Sequence, residues 1–126
     1  MKRLIITILA DVIVSGPAQA VTPMIVSVSM TNFKFTPATV QLLVNAPTTL
    51  RFLNDSGAGH NFAAPAFFKT AKIDPASIGL VRNGRVEVPA HSTVSVALTP
   101  AAGQFPLKCS HTLHATFGMR GTIVVR

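Results

Sequence analysis

Apolar side chains recur at every second position through most of this chain, in short runs separated by turn residues. Val26, Val28 and Met30 alternate with Ser27 and Ser29, and Phe33 and Phe35 flank Lys34. Val40, Leu42 and Val44 form the next alternating set, and Thr48 to Leu53 another run. Later come Arg85 to Val88, then Ser92 to Leu98 with Val94, Val96 and Leu98 on one face. Gln104 to Cys109 follows, with Phe105, Leu107 and Cys109 on one face, and Thr122 to Val125 ends the series. A period of two is that of a strand with one side in a core, whereas an amphipathic helix needs apolar residues at steps of three and four. The breaks carry turn chemistry: Thr36-Pro37, Asn45-Ala46-Pro47, Asn54-Asp55-Ser56-Gly57-Ala58-Gly59, Pro89-Ala90-His91 and Thr99-Pro100-Ala101-Ala102-Gly103. Between Ala63 and Arg82 the pattern weakens into an irregular excursion, with a short helical turn expected near Pro75. About seven to eight short strands without a long helix predict an all-β fold, a Greek-key antiparallel β-sandwich.

The 126 residues suffice for one core and are too few for two. Part of the 48% apolar content lies at the N-terminus. Lys2 and Arg3 precede the apolar run Leu4 to Val14, and Ala18-Gln19-Ala20 has the small residues of a cleavage site. That is the layout of a secretory leader over residues 1–20, leaving a domain at 21–126. The run is shorter than the roughly 20 residues of a membrane span. Export to the periplasm or the extracellular space is the expected destination. Loss of Lys2, Arg3 and Asp11 takes the net charge from +7 to +6. Such an excess steers acidic partners towards the protein. Lys34, Arg51, Lys69, Lys72, Arg82, Arg85, Lys108 and Arg120 are scattered, with no dense basic run and no nucleic-acid motif, so nucleic acid is excluded as the partner.

Chemistry concentrates near the C-terminus. Cys109 to Met119 holds the only cysteine, two of the four histidines and one of the four methionines. A lone cysteine in an exported chain is buried and inert, paired between chains, catalytic or bound to a metal. Thiolate, imidazole and thioether together are the ligands that soft and borderline metals prefer, copper above all. Cys109, His114 and Met119 are spaced five residues apart. Such a site needs one more imidazole, and His60, at the end of the Gly-rich loop, is the candidate.

Cys109-x4-His114-x4-Met119, followed by Gly121-Thr122-Ile123-Val124-Val125, resembles the C-terminal metal loop of the cupredoxins, the plastocyanin/azurin superfamily of small blue-copper proteins. Phe33-Lys34-Phe35-Thr36-Pro37, Leu50-Arg51-Phe52-Leu53-Asn54 and Gly59-His60-Asn61-Phe62 are similar to the family's early strands and first-histidine segment. The resemblance implies one copper, cycling between Cu(I) and Cu(II), with His60, Cys109 and His114 as equatorial ligands and Met119 as the weak axial one. It implies that Asn61 ties the two ligand-bearing loops together and that its backbone N–H donates to the Cys109 sulfur. It also implies an apolar patch around the edge of the second histidine, for which Ala115 and Phe117 are the candidates and Phe67 and Phe68 weaker ones. The chain departs from the pattern at Leu107, where many members carry tyrosine, and in Ser110-His111-Thr112-Leu113, which lacks the proline many members have there.

Each residue has a plainer reading. His111 leaves one residue between itself and Cys109, against the family's two or four, so it is expected as an exposed loop side chain; a second, weaker copper contact is the alternative. His91 reads as an exposed turn residue, and Met24 and Met30 as structural. Met119 alone would read as core filler, because methionine is an adaptable apolar side chain. The function implied is an exported electron shuttle, not an enzyme, whose partner is an acidic redox protein, a cytochrome or an oxidoreductase. A non-redox copper carrier using the same ligands is the rival. Nucleophilic catalysis by Cys109 with a histidine base lacks a supporting acid or oxyanion motif.

Overall fold

Among the described residues the alternation resolves into ten strands, one short helix and two sheets. The computed structural model describes residue 10, residues 12–16 and residues 22–126. The expected cleavage site Ala18-Gln19-Ala20, like most of the expected leader, lies outside the described residues. In chain order the strands are β1 (Met24–Thr31), β2 (Lys34–Thr36), β3 (Thr39–Leu42), β4 (Thr48–Asn54) and β5 (His60–Ala63). Helix α1 (Pro65–Thr70) follows, then β6 (Lys72–Ile73), β7 (Arg85–Val88), β8 (Ser92–Thr99), β9 (Gly103–Lys108) and β10 (Arg120–Val125). One sheet has the order β2-β1-β4-β8-β6 and the other β3-β10-β9-β5-β7.

The β-sandwich is as expected, but its sheets are mixed. In the first sheet β1 runs parallel to β4, Met24 opposite Thr48 through to Met30 opposite Asn54. In the second, β10 runs parallel to β3, Ile123 opposite Val40. The chain crosses to the second sheet for β3 and returns through the Asn45-Ala46-Pro47 turn, so β4 lies beside β1 in the same direction. The remaining pairs are antiparallel.

The inward faces meet as the period of two requires. Val28, Met30, Leu50, Phe52, Val96 and Leu98 from one sheet pack on Val40, Phe62, Val86, Val88, Leu107 and Ile123 from the other, all buried. Phe62 sits at the centre, its ring 4.5 Å from Phe52 and 6.0 Å from Phe35. Each such aromatic side chain contributes about 1.5–3 kcal/mol by leaving water.

The weakly patterned segment holds two surprises. A helix starts at Pro65, ahead of the turn expected near Pro75, where Ile78–Leu80 forms a single 3-10 turn. Proline at the first helical position suits that start, since its missing N–H would have no intrahelical partner. The helix buries Phe67 and Phe68. Phe67 packs 5.6 Å from Phe105, and Phe68 lies 6.0 Å from Phe62. They are core residues, so the weaker partner-facing reading of the two is corrected. β5 shows no alternation because all four of its residues are buried.

Candidate metal centre

At one end of the sandwich the hydrocarbon core gives way to nitrogen and sulfur. β9 carries Phe105 and Leu107 inward, and the same alternation aims Cys109 into the core just past the strand end, fully buried. β5 is the antiparallel neighbour of β9, with Ala63 opposite Lys108; that register brings Phe62 level with Cys109 and sets His60, at the start of β5, two residues beyond it on the same inward face. His60 is also fully buried. The third residue comes from the connection between β9 and β10. Its ends are closed by Cys109 N–H donating to the Met119 carbonyl at 3.0 Å, and Met119 N–H donates to the His114 carbonyl at 3.0 Å. His114 N–H donates to the His111 carbonyl, and Phe117 N–H to that of Leu113. These linked turns fold His114 back over the sulfur.

The donor atoms converge. Cys109 Sγ is 3.3 Å from His114 Nδ1 and 4.0 Å from His60 Nδ1, and the two Nδ1 atoms are 3.1 Å apart. Among the described residues this is the one group of three or more His, Cys, Asp or Glu side chains whose donor atoms come together, all within 4.8 Å. Nitrogen and sulfur bonds to a divalent metal of about 2.0–2.3 Å put three donors around one ion about 3.5–4 Å apart. The observed spacing therefore fits a single ion after small side-chain adjustments. Met119, fully buried, closes the C-terminal end of the same connection.

Burial lowers the proton affinity of His60, and the neighbouring His114 and His111 lower it further. A neutral imidazole keeps the lone pair that a metal needs. His60 Nε2 is buried without a hydrogen-bond partner in the protein. The ring thus offers one nitrogen to the cluster and buries the other. A thiol and two imidazoles form a soft-to-borderline donor set that suits copper.

Asn61, next to His60, joins the two sides. Its backbone N–H donates to Cys109 Sγ at 3.4 Å, and its side-chain oxygen accepts from Ser110 N–H at 2.8 Å. Its Nδ2 donates to Ser110 Oγ at 2.7 Å and to Glu87 Oε1 at 3.0 Å. Burial alone would push the Glu87 carboxyl up. Hydrogen bonds from Asn61 and His111, with the charges of His111 and Arg85, outweigh that and hold it below the usual range.

His114 is half-buried, and its outward edge is framed by apolar side chains. Phe33 meets its ring edge-on at 5.2 Å and lies 5.2 Å from Phe117. Phe33, Leu113 and Phe117 are 39%, 58% and 61% exposed. Ala115 is half-buried beside them and accepts from Arg120 Nε at 3.2 Å. His91 is exposed in its turn. His111 differs from expectation: it is half-buried, with Nε2 donating to Glu87 Oε2 at 2.8 Å. Sequence reasoning missed Glu87 and Phe33. Glu87 is reached only through the β5–β7 register, which sets it opposite Asn61, and Phe33 only through its turn, where φ is 64°.

Residues 22–126 match the family of copper binding proteins described as the plastocyanin/azurin family. No curated protein matches the chain by sequence. Among solved structures, auracyanin B is similar at 21% identity over 83% of this chain and 91% of that one, with a TM-score of 0.61. Auracyanin from the photosynthetic bacterium Roseiflexus castenholzii matches at 16% identity over 85% and 99%, with a TM-score of 0.60. Auracyanin A from Chloroflexus aurantiacus, described as a blue copper protein, matches at 20% identity over 83% and 100%, with a TM-score of 0.59. At these identities the likeness establishes a shared fold.

Proposed function

The chain belongs to the plastocyanin/azurin family of copper-binding proteins, and from that premise we propose that it is an exported electron carrier with a type 1 copper site, acting as domain 21–126 after loss of residues 1–20. In this reading His60, Cys109, His114 and Met119 would hold the copper. The observation that carries it is the convergence of Cys109 Sγ with His60 Nδ1 and His114 Nδ1 at a buried end of a rigid sandwich. Copper bound there would supply a one-electron couple whose potential the surroundings of the Cys109 sulfur would tune.

The chain's own residues do the rest. His60, at the start of β5, and Cys109, just past the end of the neighbouring β9, would hold two donors on the frame of the sandwich. Asn61 N–H stabilises a negative sulfur, and Asn61 and Ser110 keep the two ligand-bearing segments in register. His114, half-buried and edged by Phe33 and Phe117, is the route by which an electron reaches a docked partner. The apolar rim supports brief contact. The positive charge favours an acidic redox protein, a cytochrome or an oxidoreductase, through steering.

A voltammetric and stopped-flow experiment tests this. The copper-loaded domain should cycle reversibly by one electron, and its exchange with an acidic cytochrome should slow as salt rises, because screening shortens the reach of the charges. Irreversible reduction with release of copper would favour the rival reading of a copper carrier. Exchange indifferent to salt would remove the acidic partner.

A further inference from the structure

Residues 111–118 are the exposed middle of the connection that delivers His114. Backbone hydrogen bonds within residues 109–120 coil it, and Ser110 at its start is held by Asn61. Among the described residues, apart from the His60 Nδ1–His114 Nδ1 contact at 3.1 Å inside the donor cluster, one hydrogen bond ties residues 111–118 to chain outside residues 109–120. It is the bond from His111 Nε2 to Glu87 Oε2, 2.8 Å long.

Glu87 is well placed to act on both sides of the site. It belongs to β7, the edge strand of its sheet, directly opposite Asn61 in β5. One carboxylate oxygen accepts from His111; the other accepts from Asn61 Nδ2 at 3.0 Å, with Arg85 Nε 3.6 Å away. A single side chain thus grips the segment carrying His60 and the loop carrying His114. The His111 ring lies against His114, centroids 5.4 Å apart and planes tilted 34°. Its Cε1 also occupies the space over Gly59, 3.5 Å from where a side chain would begin.

Stability does not explain this arrangement. The Glu87 side chain is 56% exposed, and ion pairs that open to water add little to folding. Partners that orient a metal-binding residue have a different scale of effect, typically 10–100-fold in metal affinity.

We propose that Glu87 is a positioning residue: through His111 and Asn61 it latches the Cys109–Met119 loop onto β5 and so holds His114 in place for copper. The latch rests on the copper reading above. It gives this loop a fixed seat that its own backbone bonds do not provide.

The test uses the full domain with Glu87→Ala, Glu87→Gln, His111→Ala and the double Glu87→Ala/His111→Ala. Three quantities are read: transfer of Cu(I) to bathocuproine disulfonate, amide exchange of residues 111–118 in copper-free protein, and the copper-free melting midpoint. Either alanine variant should speed copper transfer and loop exchange about tenfold or more, with the midpoint moving by less than about 5 °C. The double variant should match the singles, since both remove one latch. Glu87→Gln should fall between, because its amide oxygen still accepts from one partner. The proposal is overturned if both single variants stay within twofold of the parent, or if the double effect equals the product of the singles. If the parent itself fails to hold copper, the reading of the site falls, while loop exchange in copper-free protein still decides the latch.

Discussion

Leu113, immediately before His114, has φ of 66°. The left-handed region costs a side chain about 1–2 kcal/mol, and here it turns the backbone so that His114 folds back towards Cys109. Because Leu113 is 58% exposed, little packing is lost when it is replaced. Leu113→Gly should therefore leave the copper-free domain as stable or up to about 1 kcal/mol more stable, with a looser loop. Leu113→Val, β-branched and worse suited to that region, should destabilise it by about 1–2 kcal/mol. Chemical denaturation of the two variants reads the difference directly. Equal stability of all three proteins would mean that the turn is not strained.

At the scale of elements, the site depends on β5 and β9 lying side by side and on β10 returning next to β9. Gly121 in β10 is where that return is tightest. A Cβ there would overlap the Ala38 carbonyl oxygen and come within 3.2 Å of Leu107 Cδ2. The same carbonyl accepts from Thr122 N–H at 2.9 Å, so the backbone cannot back away without losing the β3–β10 ladder. Gly121→Ala should cost about 1–3 kcal/mol, seen as a lower melting midpoint; an unchanged midpoint would show that the strands can part there.

These elements differ in how far the sequence discloses them. β8 and β9 alternate cleanly because one face is buried and the other wet, and that alternation also set Cys109 inward. β5 is silent because it is buried on both faces, its Asn61 satisfied by partners far along the chain. Helix α1 is too short to complete a helical period, and its adjacent Phe67 and Phe68 resemble a strand end as much as a helix. The parallel pairs depend on which sheet β3 joins, which no local pattern encodes. For the site, residue types and spacing pointed to His60, Cys109, His114 and Met119. Glu87 carries no local signal, because its importance comes from register alone.

Over the whole molecule, the proposed docking divides between charge and shape. The net charge of +7 on the full chain, or +6 without residues 1–20, would act at long range, and the apolar rim around His114 would act on contact. Phe117, 61% exposed and packed only partly on Phe33, belongs to the rim. Phe117→Ala should slow electron exchange with a protein partner several-fold while leaving exchange with a small inorganic oxidant unchanged. Equal slowing with both would assign Phe117 to the integrity of the loop, not to docking.

In the proposed site one copper is held through the sulfur of Cys109 together with His60 and His114. Visible absorption and EPR of the Cu(II)-loaded domain, beside Cys109→Ser loaded in the same way, test it most directly. An intense blue sulfur-to-copper charge-transfer band is expected from one copper per chain, absent in Cys109→Ser. A pale or colourless complex, or a spectrum that survives Cys109→Ser, would contradict it.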